Sequence, residues 1–170
     1  AEGRNETTLE MLFMDPSAPS GDVTGWDTSH ATSAYGTFYD NDMFNQDIGA
    51  WDVSNVATME DMFGLTEIFN QDIGSWNTRS VQTITNMFNG AVAFNQAIGG
   101  WNTGNVTVMD GAFDGATAFN QDLDGWNTSN VESMIRMFAD ATAFNGSIAD
   151  WNTGIVSNMQ QMFSHATAFN

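Results

Sequence analysis

The stretch Trp126-Asn127-Thr128-Ser129-Asn130-Val131-Glu132-Ser133-Met134-Ile135-Arg136-Met137-Phe138 runs on through Ala141-Thr142-Ala143-Phe144-Asn145 and Ile148 to Trp151. Its opening tryptophan is one of six, Trp26, Trp51, Trp76, Trp101, Trp126 and Trp151, each 25 residues after the last. A strict period in this range marks a chain of stacked repeats, in which each unit buries its apolar positions against its neighbours.

Counting each coil from its tryptophan as position one, the apolar residues fall in files. Position six holds Ala31, Val56, Val81, Val106, Val131 and Val156, and position nine holds Ala34, Met59, Ile84, Met109, Met134 and Met159. Phe occupies position thirteen from Phe38 to Phe163 and position nineteen from Phe44 to Phe169. Ile, Leu or Val fills position twenty-three, as in Val23, Ile48 and Leu123. Positions six, nine, twelve, thirteen and sixteen share one helical face, so the spacing predicts a helix of about ten residues in every coil. Ser or Asn at positions four and five, as in Ser129-Asn130, reads as its cap. The segment through position twenty-three to the next tryptophan is too short for a helix and reads as a strand. The fold expected is an α/β solenoid, a leucine-rich-repeat-like stack of 25-residue coils, each one short strand of a parallel sheet plus one short helix.

Residues 1–20 read as an N-terminal cap or partial coil. Leu9, Leu12 and Phe13 give it a short helical face that Asp15-Pro16 and Pro19 end. Residues 21–170 read as a six-coil solenoid, truncated at the C-terminal end because the chain stops twenty residues into a coil. In the first coil Met43 and Tyr39 are expected to fill the space left by the small residues Ala31, Ala34 and Thr37.

Three Arg, no Lys and 21 Asp plus Glu give a formal charge of −18. Such a surface repels phosphate backbones and anionic membranes, which argues against nucleic-acid partners and membrane binding. It favours cations and basic partners. No apolar run is long enough to span a bilayer, so membrane insertion is not expected. With no cysteine there is no disulfide, thiolate ligand or thiol nucleophile. His30 and His165 lie in different coils at different positions, and no nucleophile elbow, phosphate loop or zinc spacing occurs. The reading is therefore not an enzyme.

Four polar files remain. Asn at position twenty, from Asn45 to Asn170, suits side chains that hydrogen-bond along the stack. Position three carries Thr28, Thr78, Thr103, Thr128 and Thr153, with Val53 as the exception; Asn77, Asn102, Asn127 and Asn152 precede four of them. These residues either form a local turn or present a flat ladder to a ligand, ice included. A shorter Thr run stands at Thr117, Thr142 and Thr167. Asp22, Asp47 and Asp72 at position twenty-two, with Asp27 and Asp52 at position two, offer hard oxygen ligands, so calcium is the one candidate ion and no other cofactor is expected. Asn5 and Asn105 are candidate glycosylation sites; the sequons at Asn127 and Asn145 coincide with structural files.

The pattern Val-x-x-Met-x-x-Met-Phe-x-x-Ala-x-Ala-Phe-Asn-Gln-x-Ile-Gly-x-Trp-Asn-Thr-Ser-Asn resembles the bacterial surface-protein repeat known as DUF285 or BspA-like. Asn70-Gln71-Asp72-Ile73-Gly74-Ser75-Trp76 and Val56-Ala57-Thr58-Met59-Glu60-Asp61-Met62-Phe63 carry the resemblance, which extends over residues 21–170. It implies a solenoid related to leucine-rich repeats, on secreted or cell-surface proteins associated with adhesion and host or matrix contact. It brings no catalytic residues. The functional expectation is a non-enzymatic extracellular or cell-surface protein that presents an extended face to a protein, glycan or matrix surface. Ice binding through the Thr and Asn files is the alternative. A fibre subunit, self-associating end to end, is the third.

Overall fold

The structure, a computed structural model, describes residues 8–13 and 21–170. Asn5 and the Asp15-Pro16 and Pro19 stop lie outside the described residues. The coils stack in parallel at a register of one repeat, tied by the bridges Ser33 to Thr58, Thr58 to Thr83, Thr83 to Val108, Val108 to Ser133 and Ser133 to Asn158. These are isolated bridges at position eight. Among the described residues there is no helix and no continuous strand.

The expected helix and strand per coil are thus both overturned, and with them the leucine-rich-repeat-like α/β class. A helix needs each N–H to reach the carbonyl four residues back. Here alternate amides leave the coil instead. In coil three, Ile84, Asn86, Phe88 and Gly90 donate to the Val108, Asp110, Ala112 and Asp114 carbonyls of the next coil, at 3.3, 2.8, 2.9 and 2.7 Å. The amides between them turn inward to the carbonyl three residues back: Met87 to Ile84, Asn89 to Asn86 and Ala91 to Phe88, at 3.1, 3.0 and 3.1 Å. The backbone is held in this zigzag by left-handed residues at positions eleven and fifteen of each coil. They are Gly36, Asp61, Asn86, Gly111, Arg136 and Gln161, then Asp40, Leu65, Gly90, Gly115, Asp140 and His165, with φ between 52° and 71°. Two such residues four apart forbid a continuous right-handed helix.

The segment before each tryptophan is likewise a turn and not a strand, closed by Trp N–H to the position-twenty-three carbonyl, as in Trp101 to Ile98 at 3.1 Å. The Ser and Asn residues read as helix caps bridge coils: Asn55, Asn105 and Asn130 side-chain amides donate to the Ser29, Arg79 and Gly104 carbonyls of the preceding coil, at 2.8, 2.7 and 2.7 Å. Residues 9–13 follow the same rule, with Leu9, Met11 and Phe13 donating to the Ser33, Tyr35 and Thr37 carbonyls.

The core is a column of aromatic rings. Position-thirteen Phe rings stack at 5.4–5.6 Å between coils. Position-nineteen rings stack at 5.7–6.0 Å. The two Phe rings of one coil lie 3.6–4.1 Å apart. A buried indole needs an acceptor for its N–H. Each finds it one coil away: Trp51, Trp76, Trp101, Trp126 and Trp151 donate to the carbonyls of Val23, Ile48, Ile73, Ile98 and Leu123, at 2.8–3.2 Å. Each inward ring removes roughly 1.5–3 kcal/mol worth of apolar surface from water. In the first coil Tyr39 is only half-buried and Met43 is 68% exposed, so Met43 does not fill the core as expected.

Candidate ligand-presenting surface

The Thr file that the sequence offers as a ligand surface faces inward. Thr28, Thr78, Thr103 and Thr128 are at most 2% exposed. Thr78, Thr103 and Thr128 hydroxyls donate to the Asn102, Asn127 and Asn152 carbonyls of the next coil, at 3.1, 3.1 and 3.0 Å. They are core groups whose hydroxyls satisfy backbone acceptors, and they present nothing to a partner. Thr153, in coil six, is exposed. The Thr28 hydroxyl, buried in the same way, has no hydrogen-bond partner among the described residues.

The accompanying asparagines do face water, but each closes its own turn. Asn77, Asn102, Asn127 and Asn152 side-chain oxygens accept the amides of Arg79, Gly104, Ser129 and Gly154. The aspartates behave alike. Asp27 and Asp52 accept the Ser29 and Ser54 amides at 3.1 and 2.9 Å, and Asp22, Asp47 and Asp72 accept those of Thr24, Gly49 and Gly74 at 3.0, 3.0 and 2.9 Å. Hydrogen bonds from Thr24, Ser29 and Ser54 hold the Asp22, Asp27 and Asp52 carboxyls below the usual range, because they favour the charged form. Asp47 and Asp72 do line one open surface groove, with Thr24, Gly49, Ala50 and Ser75. Among the described residues no three His, Asp or Glu side chains come together in a metal-holding group. Each candidate calcium ligand thus closes its own turn through one carboxylate oxygen.

The Asn file at position twenty forms a side-chain ladder. Asn45, Asn70, Asn95, Asn120 and Asn145 oxygens accept the Asn70, Asn95, Asn120, Asn145 and Asn170 amides, at 2.7–3.1 Å. Gln71, Gln96 and Gln121 reinforce it from the next position, donating to the same Asn oxygens at 2.9 Å. The sequon asparagines have structural duties as well: Asn105 uses its side-chain nitrogen on the Arg79 carbonyl, and Asn145 its oxygen on the Asn170 amide.

His30 stands exposed beside Ser29, its Nδ1 3.1 Å from the hydroxyl, and His165 pairs with Asp140 at 2.9 Å, five coils away. Arg136 grips Asp114 with two nitrogens at 2.6 and 3.0 Å and reaches Asp140 at 3.2 Å. That cluster clips coils four, five and six at the surface, where such pairs contribute about 0–1 kcal/mol each.

One outward surface went unremarked in the sequence. Large apolar side chains stand exposed at positions fifteen to eighteen of coils one to three: Met43 at 68%, Leu65 at 37%, Ile68 at 45% and Val92 at 41%. Along the same files coils four to six carry the exposed Thr117, Thr142 and Thr167. The signal was present as Met43 and Ile68 at position eighteen, where later coils have Ala93, Ala118, Ala143 and Ala168.

With this geometry in hand, comparison with known families is informative. The family described as "Mycoplasma protein of unknown function, DUF285" matches residues 7–102 and again residues 73–170. The chain belongs to the DUF285 family. The two matches overlap and together span every complete coil, as a repeat unit that can be laid on the chain in two frames requires. No curated protein and no solved structure matches the chain. DUF285 membership carries no function with it, so the function must be argued from the surface.

Proposed function

We propose that this DUF285 chain is a non-enzymatic display protein, working at the cell surface or outside the cell, that meets a protein, glycan or matrix partner through its outward files. The observation that carries the reading is the set of exposed apolar side chains Met43, Leu65, Ile68 and Val92, at positions fifteen to eighteen of three successive coils on a chain of net charge −18. Large apolar side chains left exposed on neighbouring coils are a mark of interaction surfaces. The cross-coil hydrogen bonds support it further, since they hold successive outward side chains at one-coil intervals and leave little ordering entropy to lose on binding. The test is adhesion of beads coated with the chain to immobilised matrix proteins and glycans. Ile68→Lys with Val92→Lys should reduce retention at least about tenfold, by adding charge at an apolar contact. Equal retention of variant and parent would reject this face.

Ice binding keeps a footing on a different file from the one the sequence suggests. Thr117, Thr142 and Thr167 are exposed, while the position-three threonines of coils one and three to five are buried. A thermal-hysteresis assay decides it. Activity lost in Thr142→Lys would support ice, and a parent solution that freezes like buffer would reject it.

A further inference from the structure

The repeat is broken most sharply in coil one, and the break makes a pocket. The only two tyrosines of the chain, Tyr35 and Tyr39, occupy positions ten and fourteen there, where no other coil has an aromatic residue. With Met11, Gly36 and Asp61 they line a cavity of about 230 Å³. Two glycines shape it. A Cβ on Gly64 would stand 2.9 Å from Tyr39 Cδ2, so the missing side chain is what lets the ring pack against the second coil. A Cβ on Gly36 would press to 3.3 Å on Met11 Cγ. The volume is below the roughly 300–1,000 Å³ usual for a small-molecule site, and suits the head of a single side chain.

We propose that this pocket takes one arginine side chain from a basic partner protein, with the guanidinium lying against the tyrosine faces and facing the Asp61 carboxylate. Three observations point to that occupant. Among the described residues the lining offers two electron-rich rings and one carboxylate, and no cation. Arginine is the side chain that stacks on aromatic faces and forks onto a carboxylate at once. The surroundings are strongly negative, because the chain carries −18 and Glu60 stands beside Asp61. Burial also pushes the Asp61 carboxyl upward, opposed by a hydrogen bond from Asn86, and an incoming cation would relieve that cost. The inference rests on the display reading only in that the arginine belongs to a partner; the pocket itself can be tested with no partner present.

The experiment is an amide-resolved NMR titration of the intact chain with N-acetyl-arginine methylamide, beside its neutral isostere N-acetyl-citrulline methylamide. The arginine probe should shift the Gly36 and Gly64 amides with a dissociation constant of about 1–10 mM. Citrulline should leave them in place. Asp61→Asn, which keeps size and shape, should weaken arginine binding at least about tenfold, and Tyr39→Leu should do the same. Equal shifts with both probes, shifts scattered over the acidic surface, or an undiminished response in Asp61→Asn would each overturn the proposal. A specific response combined with failed adhesion would retain the pocket and reject the display function.

Discussion

Thr28→Val and Thr103→Val make the same chemical change at the same coil position and the same 2% exposure, yet they should move stability in opposite directions. Thr103 donates to the Asn127 carbonyl at 3.1 Å, whereas the Thr28 hydroxyl is buried without a partner among the described residues. Removing the Thr103 hydroxyl deletes one hydrogen bond, at a net cost of about 0.5–1.5 kcal/mol. A buried hydroxyl left unsatisfied costs about 1–3 kcal/mol, so replacing it with a methyl at Thr28 should recover about 1 kcal/mol. The two variants should therefore differ by about 2 kcal/mol, or some 4–8 °C in midpoint for a chain of this size. Urea unfolding followed by tryptophan fluorescence reads the difference, with unchanged m-values as the sign that only stability moved. Thr78→Val and Thr128→Val, whose hydroxyls are bonded at 3.1 and 3.0 Å, should fall with Thr103→Val. If Thr28→Val loses as much stability as Thr103→Val, the unpaired state of the Thr28 hydroxyl is refuted, and if Thr103→Val costs nothing, the assignment of this file as a hydrogen-bonded core ladder is refuted.

Other perturbations probe the remaining devices. Asn95→Ala removes the acceptor for the Asn120 amide and the Gln121 side chain, and should cost about 1–3 kcal/mol by urea unfolding. Gly115→Ala forces a Cβ into φ 71° and should cost about 1–2 kcal/mol, while Gln161→Gly at φ 57° should gain up to about 1 kcal/mol in the same assay. The Asp61 carboxyl is raised in the folded state, so its contribution favours folding below the unfolded value and is lost as pH rises through the folded one. Asp61→Asn should accordingly be more stable than the parent at neutral pH and indistinguishable from it in acid. Asp52 is held low by Ser54, so the opposite holds: its contribution is present above the unfolded value and lost as pH falls through the folded one, and Asp52→Asn should be the less stable chain only near neutral pH.

The period, the parallel one-repeat register and the aromatic core were legible because they depend only on which residues recur every 25 positions. The conformation within a coil was not. Apolar residues three and four apart are the mark of a helix face, but the same spacing arises when a chain turns inward every three residues. Here the amides of Met87, Ala91 and Phe94 each bond the carbonyl three back. The left-handed sites were hidden because Gly36, Gly90, Gly111 and Gly115 announce them and Asp61 and Asn86 tolerate them, while Leu65, Arg136 and Gln161 adopt the same φ with side chains that give no such signal. For the candidate surface, residue type alone could not say which way position three points. Thr is equally at home on a wet ladder and, as at Thr103, bonded to a carbonyl inside the stack. The tyrosine pocket was visible as a break in the repeat, but only the stack shows that Tyr39 lies over Gly64 of the following coil.

The amides at positions nine, eleven, thirteen and fifteen bond the next coil, where a helix would turn them back along its own axis. Scalar couplings measured by NMR across individual hydrogen bonds test this directly. The Phe88 amide should couple to the Ala112 carbonyl and the Phe113 amide to that of Met137, across bonds of 2.9 and 2.8 Å. A coupling from the Phe88 amide to the Ile84 carbonyl, with none to Ala112, would mean a helix and would contradict the account.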